Sequence, residues 1–109
     1  MAQYILPIKK RSTFLKVREK SKFIRSNSFN LQILEDKTLN GSIAVGYITT
    51  KRLGNAVIRN KAKRIMREVT RKVISKYGKI NCYYVLIAKT SLFKIPFKLL
   101  ENELETKIR

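Results

Sequence analysis

The sequence predicts an α+β fold, a layered two-layer sandwich in the order αββαβα. Three observations carry that prediction. Ser28-Phe29-Asn30-Leu31-Gln32-Ile33 alternates strictly between polar and apolar, the period of a half-buried strand. Ala56 to Lys76 places its apolar residues at helical spacing over a long stretch. Asn81 to Ala88 is continuously apolar and β-rich, as in a strand covered on both faces or paired in parallel. With 109 residues, 44% of them apolar, the chain supports one modest core and therefore a single domain over 1–109, with 1–8 expected to be flexible.

The elements follow in order. Lys9 to Arg25 is basic, and Ser12 and Thr13 are candidate N-caps for a short helix carrying Phe14, Leu15 and Val17. The first alternating strand puts Phe29, Leu31 and Ile33 on one face and leaves a polar face with Asn30 and Gln32. Glu35 to Gly41, with its Asp, Asn and Gly, is expected to turn the chain into a second strand, Ser42 to Thr49, antiparallel to the first. Lys51 to Asn55 is a loop containing Gly54, and Asn55 is placed to cap the long helix. On that helix Ile58, Ala62, Ile65, Met66, Val69 and Val73 form one dry stripe, and Gly78 is expected to end it as a left-handed residue. The apolar strand after it completes a β-α-β unit, whose two strands should be parallel. Lys89 to Pro96 reads as a loop. Phe97 to Ile108 reads as a final amphipathic helix with Phe97, Leu100, Leu104 and Ile108 on one side.

Composition narrows the function. Twenty-five Lys and Arg against 7 Asp and Glu leave a net charge of +18. So much one-signed charge on a small surface calls for a polyanion, nucleic acid before an anionic membrane. There is no His and a single Cys, Cys82, inside an apolar run. That excludes a disulfide framework, a usual zinc site and a His-based nucleophile or general base, so no catalytic side chain and no metal ligand is assigned in the protein. No apolar run approaches the ~18 residues of a membrane span. Met1 to Pro7 has no basic segment ahead of a long apolar stretch and does not read as a secretory signal.

The densest signal is Lys51 to Lys76, where positions 51, 52, 59, 61, 63, 64, 67, 71, 72 and 76 are Lys or Arg and only Glu68 is acidic. Arg59, Lys63, Arg67 and Arg71 recur every four residues, a like-charge spacing that destabilises an isolated helix by ~0.2–0.5 kcal/mol per pair. A face kept for solubility would mix the signs, so this one is assigned to phosphates. Arg59-Asn60 adds a bidentate fork and an amide able to meet a sugar or base edge, and the helix start at Asn55 to Val57 offers N–H groups to a phosphate. A second candidate is the polar strand face, Asn30 and Gln32, beside Phe14 and Arg18. An aromatic with interleaved cations over an open sheet can hold a single strand by stacking and charge, against the bland alternative that Phe14 is core.

Val45-Gly46-Tyr47-Ile48-Thr49-Thr50-Lys51-Arg52-Leu53-Gly54-Asn55-Ala56-Val57-Ile58-Arg59-Asn60-Lys61-Ala62-Lys63-Arg64-Ile65-Met66-Arg67-Glu68 closely resembles, without a break in spacing, the signature of the protein component of bacterial ribonuclease P. Phe14-Leu15-Lys16-Val17 and Ile87-Ala88-Lys89 extend the resemblance over roughly Lys9 to Arg109. It implies a cytoplasmic bacterial protein that assembles with a catalytic RNA subunit to remove the 5′ leader of precursor tRNA, an endonuclease whose Mg²⁺-dependent chemistry lies in the RNA. It implies no membrane partner and no small-molecule substrate. Lys51, Arg52, Asn55, Arg59, Asn60, Lys61, Lys63, Arg64 and Arg67 then face the RNA subunit, and Phe14, Arg18, Asn30 and Gln32 line a cleft for the leader. The family's β-α-β crossover is left-handed, against the general right-handed rule. Three positions depart from the family: Lys61 replaces the last Arg of an Arg-Asn-Arg triplet, Arg18 stands where many members have an aromatic, and Gln32 where some have Tyr. A basic ribosomal or other structural RNA-binding protein is the alternative that composition alone leaves open.

Overall fold

The computed structural model describes residues 4–109. Five strands, β1 (Ile5–Pro7), β2 (Lys22–Ile24), β3 (Phe29–Glu35), β4 (Ile43–Ile48) and β5 (Cys82–Ala88), form one mixed sheet in the order β1-β4-β5-β3-β2. Three helices, α1 (Arg11–Lys20), α2 (Ala56–Tyr77) and α3 (Phe97–Ile108), cover it. The α+β class and the mixed sheet hold, and β4 and β5 are parallel neighbours joined through α2, as the β-α-β reading requires.

The continuous apolar run explains the topology. A strand without a polar face is stable only where both faces are covered, and β5 lies at the centre, antiparallel to β3 and parallel to β4. β3 and β4 do run in opposite directions, as expected, but β5 separates them. Two short edge strands extend the expected order to βαβββαβα. One of them, β1, lies within the stretch 1–8 expected to be flexible and pairs in parallel with β4 from Ile5↔Ile43 to Pro7↔Val45. Residues 1–3 lie outside the described residues.

The sheet's two faces differ. Phe29, Leu31, Ile43, Val45, Tyr84 and Leu86 join Ala62, Met66, Val69 and Val73 of α2 and Leu100 and Leu104 of α3 in one core. Fully burying each of the Val, Leu, Ile, Phe and Met side chains among them is worth about 1.5–3 kcal/mol. The opposite face carries the register row Gly46–Val85–Gln32–Phe23, and it is covered in part by α1, through Val17 and Phe14. Helices therefore sit on both faces, and only part of the second face is left open.

Three local expectations are corrected. α1 begins at Arg11 with Lys10 in the cap position, ahead of Ser12 and Thr13, and no side chain caps it. Ile58 leaves the dry stripe and is exposed, its side chain lying beside Gly54. Gly78 ends α2 with an ordinary extended backbone, φ −65°. Its need for glycine is steric, since a Cβ there would lie 2.5 Å from the Ile74 carbonyl oxygen and 2.9 Å from Ile43 Cδ1.

Candidate nucleic-acid interface

The start of α2 is set by its own sequence. Asn55 caps the helix, its side-chain oxygen accepting the Ile58 N–H at 3.0 Å, as the sequence suggests. Gly54 before it has φ +149°, a conformation nearly restricted to glycine, and a Cβ there would meet Ile58 at 2.8 Å. Lys51 and Arg52 stand exposed on the 3₁₀ turn Lys51–Leu53 that leads in. Arg59 Nη1 donates to the Gly54 carbonyl at 3.2 Å, tying the first cation of the ridge to the loop. Asn60, Lys61 and Arg64 are exposed, with the Lys61 ammonium 5.9 Å from the centre of the Phe93 ring. Arg67 lies 6.0 Å from the Tyr47 ring centre, and the Tyr47 hydroxyl shares a 2.5 Å hydrogen bond with Thr70. Burial pushes the Tyr47 phenol's pKa upward against the opposing pull of Thr70 and Arg67. Arg71, at the end of the ridge, is paired with Glu68 at 2.7 Å.

The second site is assembled from distant parts of the chain. Phe14 packs on the sheet where Gly46 leaves room, and a Cβ on Gly46 would stand 2.5 and 2.7 Å from two of its ring carbons. On the other side of α1, Lys16 is paired with Asp36 and lies 5.4 Å from the centre of the Tyr83 ring. The Lys16 ammonium and the Thr38 hydroxyl and N–H hold the Asp36 carboxyl well below the usual carboxylate range. These contacts fix how α1 lies on the sheet and turn Arg11, Phe14 and Arg18, spaced at three and four residues, toward the face left open. Asn30, Ile48 and Ile87 are half-buried on that face.

The four residues predicted for the cleft therefore have different environments. Phe14 is half-buried and Arg18 exposed, whereas Asn30 accepts the Ser26 N–H at 3.3 Å and so braces the β2–β3 turn. Gln32 is buried at 6% exposure with no partner for its Oε1, so the polar strand face expected to be open is covered at that position. Its neighbour in register, Phe23, is 50% exposed on the same face and supplies a second aromatic that sequence reasoning missed. The signal was the short run Lys22-Phe23-Ile24, absorbed into a basic segment. Pattern reading also missed that the two sites meet. β1 ends at Pro7, leaving β4 unpartnered on its outer side beyond Val45. There a cavity of about 610 Å³ is lined by Lys9, Arg11 and Phe14 of the cleft and by Thr49 and Lys63 from the strand end and α2.

Among the described residues no three His, Cys, Asp or Glu side chains come together, and no helix is long and apolar enough to cross a membrane. Cys82 is buried, and burial pushes its thiol pKa up. What remains is a pair of adjoining cationic surfaces, one convex and one grooved. A family model described as Ribonuclease P matches residues 6–109. The chain belongs to the ribonuclease P protein family. The ribonuclease P protein component of Brucella melitensis biotype 1 is 33% identical over 112 residues, covering 95% of this chain and 78% of that relative. The ribonuclease P protein component of Ruegeria pomeroyi is 35% identical over 106 residues, covering 94% of this chain and 82% of the relative. Among solved structures, the Staphylococcus aureus RNase P protein superimposes with a TM-score of 0.76 at 28% identity, over 92% of this chain and 89% of that one. The Thermotoga maritima RNase P protein does so with a TM-score of 0.77 over 94% of each chain, and at 19% identity it speaks for the fold.

Proposed function

We propose that the α2 face binds the catalytic RNA subunit and that the groove between α1 and the sheet holds the single-stranded 5′ leader of precursor tRNA, in the bacterial cytoplasm. The chain is a ribonuclease P protein, a subunit of a ribonucleoprotein endoribonuclease of tRNA processing. The observation that carries the division of labour is the contrast in shape. Lys51, Arg52, Arg59, Asn60, Lys61, Lys63, Arg64 and Arg67 offer a convex, one-signed surface suited to the backbone of a folded RNA. Phe14, Phe23, Arg18 and Asn30 border an open sheet, suited to an extended strand with its bases turned inward. Asn55 serves by holding the α2 start rather than by contact, and Gln32 by filling the floor.

Within the assembly the protein's side chains bind and orient, and the Mg²⁺ that supports cleavage is assigned to the RNA. The test is cleavage of precursor tRNA by the protein in Mg²⁺, with and without the RNA subunit. Site-specific cutting is expected only with RNA present, and reproducible cutting by protein alone would overturn the assignment. Recovery of the RNA that co-purifies with the chain supplies the second arm: one abundant, structured, non-ribosomal RNA is the expected outcome.

A further inference from the structure

A cavity of about 650 Å³ outside these two surfaces lies between the turn after β2 and α3. Its wall is organised by hydrogen bonds. The Glu103 carboxylate accepts the Ser26 hydroxyl and, at 2.8 Å, the Ser28 N–H, while Lys89 Nζ donates to the Ser26 carbonyl at 2.5 Å. Those bonds occupy the one carboxylate in the lining. Arg25 and Lys107 are exposed at its rim and take part in no ion pair among the described residues. Leu99, 54% exposed, and half-buried Ile95 supply an apolar surface, with the Asn27 and Asn102 amides beside it.

Unpaired cations, an apolar surface and amide groups together match the parts of a nucleotide: phosphate on guanidinium or ammonium, base against apolar side chains, amides at the base edge. The cavity lies on the α3 side of the sheet, and one hydrogen bond links its wall to the groove on the other side. Asn30, on the open sheet face, accepts the N–H of Ser26, so the turn that walls the cavity begins where that face ends. We propose that this cavity is a further subsite for single-stranded RNA and takes a nucleotide of the leader beyond those held against Phe14 and Phe23. The proposal rests on the groove being the leader site, and the experiment separates the two.

The holoenzyme is reconstituted with precursor tRNAs whose leaders grow one nucleotide at a time, and the affinity of each is measured. With the wild-type protein, affinity rises in steps with leader length. In Arg25→Ala/Lys107→Ala the steps from the longest leaders shrink by about five- to tenfold, while precursors with short leaders bind as before. Leu99→Asp, at an exposed position, shows the same length-selective loss. The charge-matched control Lys37→Ala/Lys79→Ala, at the opposite end of β3, shows none. A loss equal at every leader length, or no loss at any, overturns the subsite. If Phe14→Ala leaves the length dependence intact while Arg25→Ala/Lys107→Ala removes it, the groove assignment fails and the cavity stands. The reverse result keeps the groove and removes the cavity.

Discussion

The α2 face and the α1–sheet groove, the two surfaces proposed to bind RNA, both carry cations, yet they are built in opposite ways. The α2 face is a single element of 22 residues, and its spacing alone brings Arg59, Lys63 and Arg67 onto one side. The groove needs Phe14 from α1, Phe23 from β2, Asn30 from β3, Gly46 from β4 and Ile87 from β5, joined by strand pairing and by the Lys16–Asp36 pair. Recognition by charge along one helix is distributed, so it degrades in increments. Recognition by a groove depends on a few atoms being in place, and one methyl group in the wrong position disturbs it.

That contrast sets the order of expected effects. The largest belongs to the triple variant Arg59→Ala/Lys63→Ala/Arg67→Ala. Each lost phosphate contact flattens the salt dependence of RNA-subunit affinity by about 0.7–0.9, so three remove about a hundredfold of affinity at ~0.15 M salt. Affinity measured against salt checks this, and an unchanged slope means that α2 points elsewhere. Next come Phe14→Ala and Gly46→Ala, which remove the ring or push it off the sheet. Both should lower the ratio of precursor to mature tRNA affinity by up to about tenfold, with RNA-subunit affinity retained. If Gly46→Ala is silent, Phe14 is a packing residue only.

A smaller effect distinguishes the junction. Lys63→Ala should lower both RNA-subunit affinity and leader discrimination, each by about threefold to tenfold, because Lys63 lines the cavity where the surfaces meet. Arg64→Ala should lower the first alone. Equal behaviour of the two variants erases the distinction between the sites. The smallest effect is a pH dependence. Asp36 has a depressed pKa in the folded protein, so its pairing adds stability above the ordinary carboxylate value, and that contribution drains away as pH falls from about 4 toward the depressed folded value. Protection of the α1 amides against hydrogen exchange, relative to their intrinsic rates, should fall over that pH range in the wild type, whereas Asp36→Asn should already be less protected at neutral pH and lack that acid-dependent step.

What the sequence revealed follows the same division. α2, its Asn55 cap, its cationic ridge and the full extent of α3 were legible because helical periodicity and capping are local. So was the burial of β5 and its parallel pairing with β4, but not its place between β3 and β4, because an apolar run says that a strand is covered without saying which strands flank it. The edge strands were not: three-residue segments such as Ile5–Pro7 and Lys22–Ile24 have no period of their own and exist through their partners. The burial of Gln32 was illegible for the same reason, since alternation marks a polar face without saying what lies over it. Phe23 was lost with its strand. The assignment of Gly78 failed because a glycine can be required by a neighbouring carbonyl as well as by a positive φ.

The order β1-β4-β5-β3-β2 has one more consequence. The strand at the middle of the sheet comes next to last among the regular elements, so a growing polypeptide cannot close the sheet until residues 82–88 have left the ribosome. Before then β3 and β4 lack the neighbour that each needs, and the groove does not exist. The cationic segment that becomes α2 is already outside, carrying its charge on an unfinished scaffold. Synthesis therefore delivers the affinity for polyanions first and the shape that discriminates among them last, so an RNA present during translation meets a chain that can attract it before it can select it.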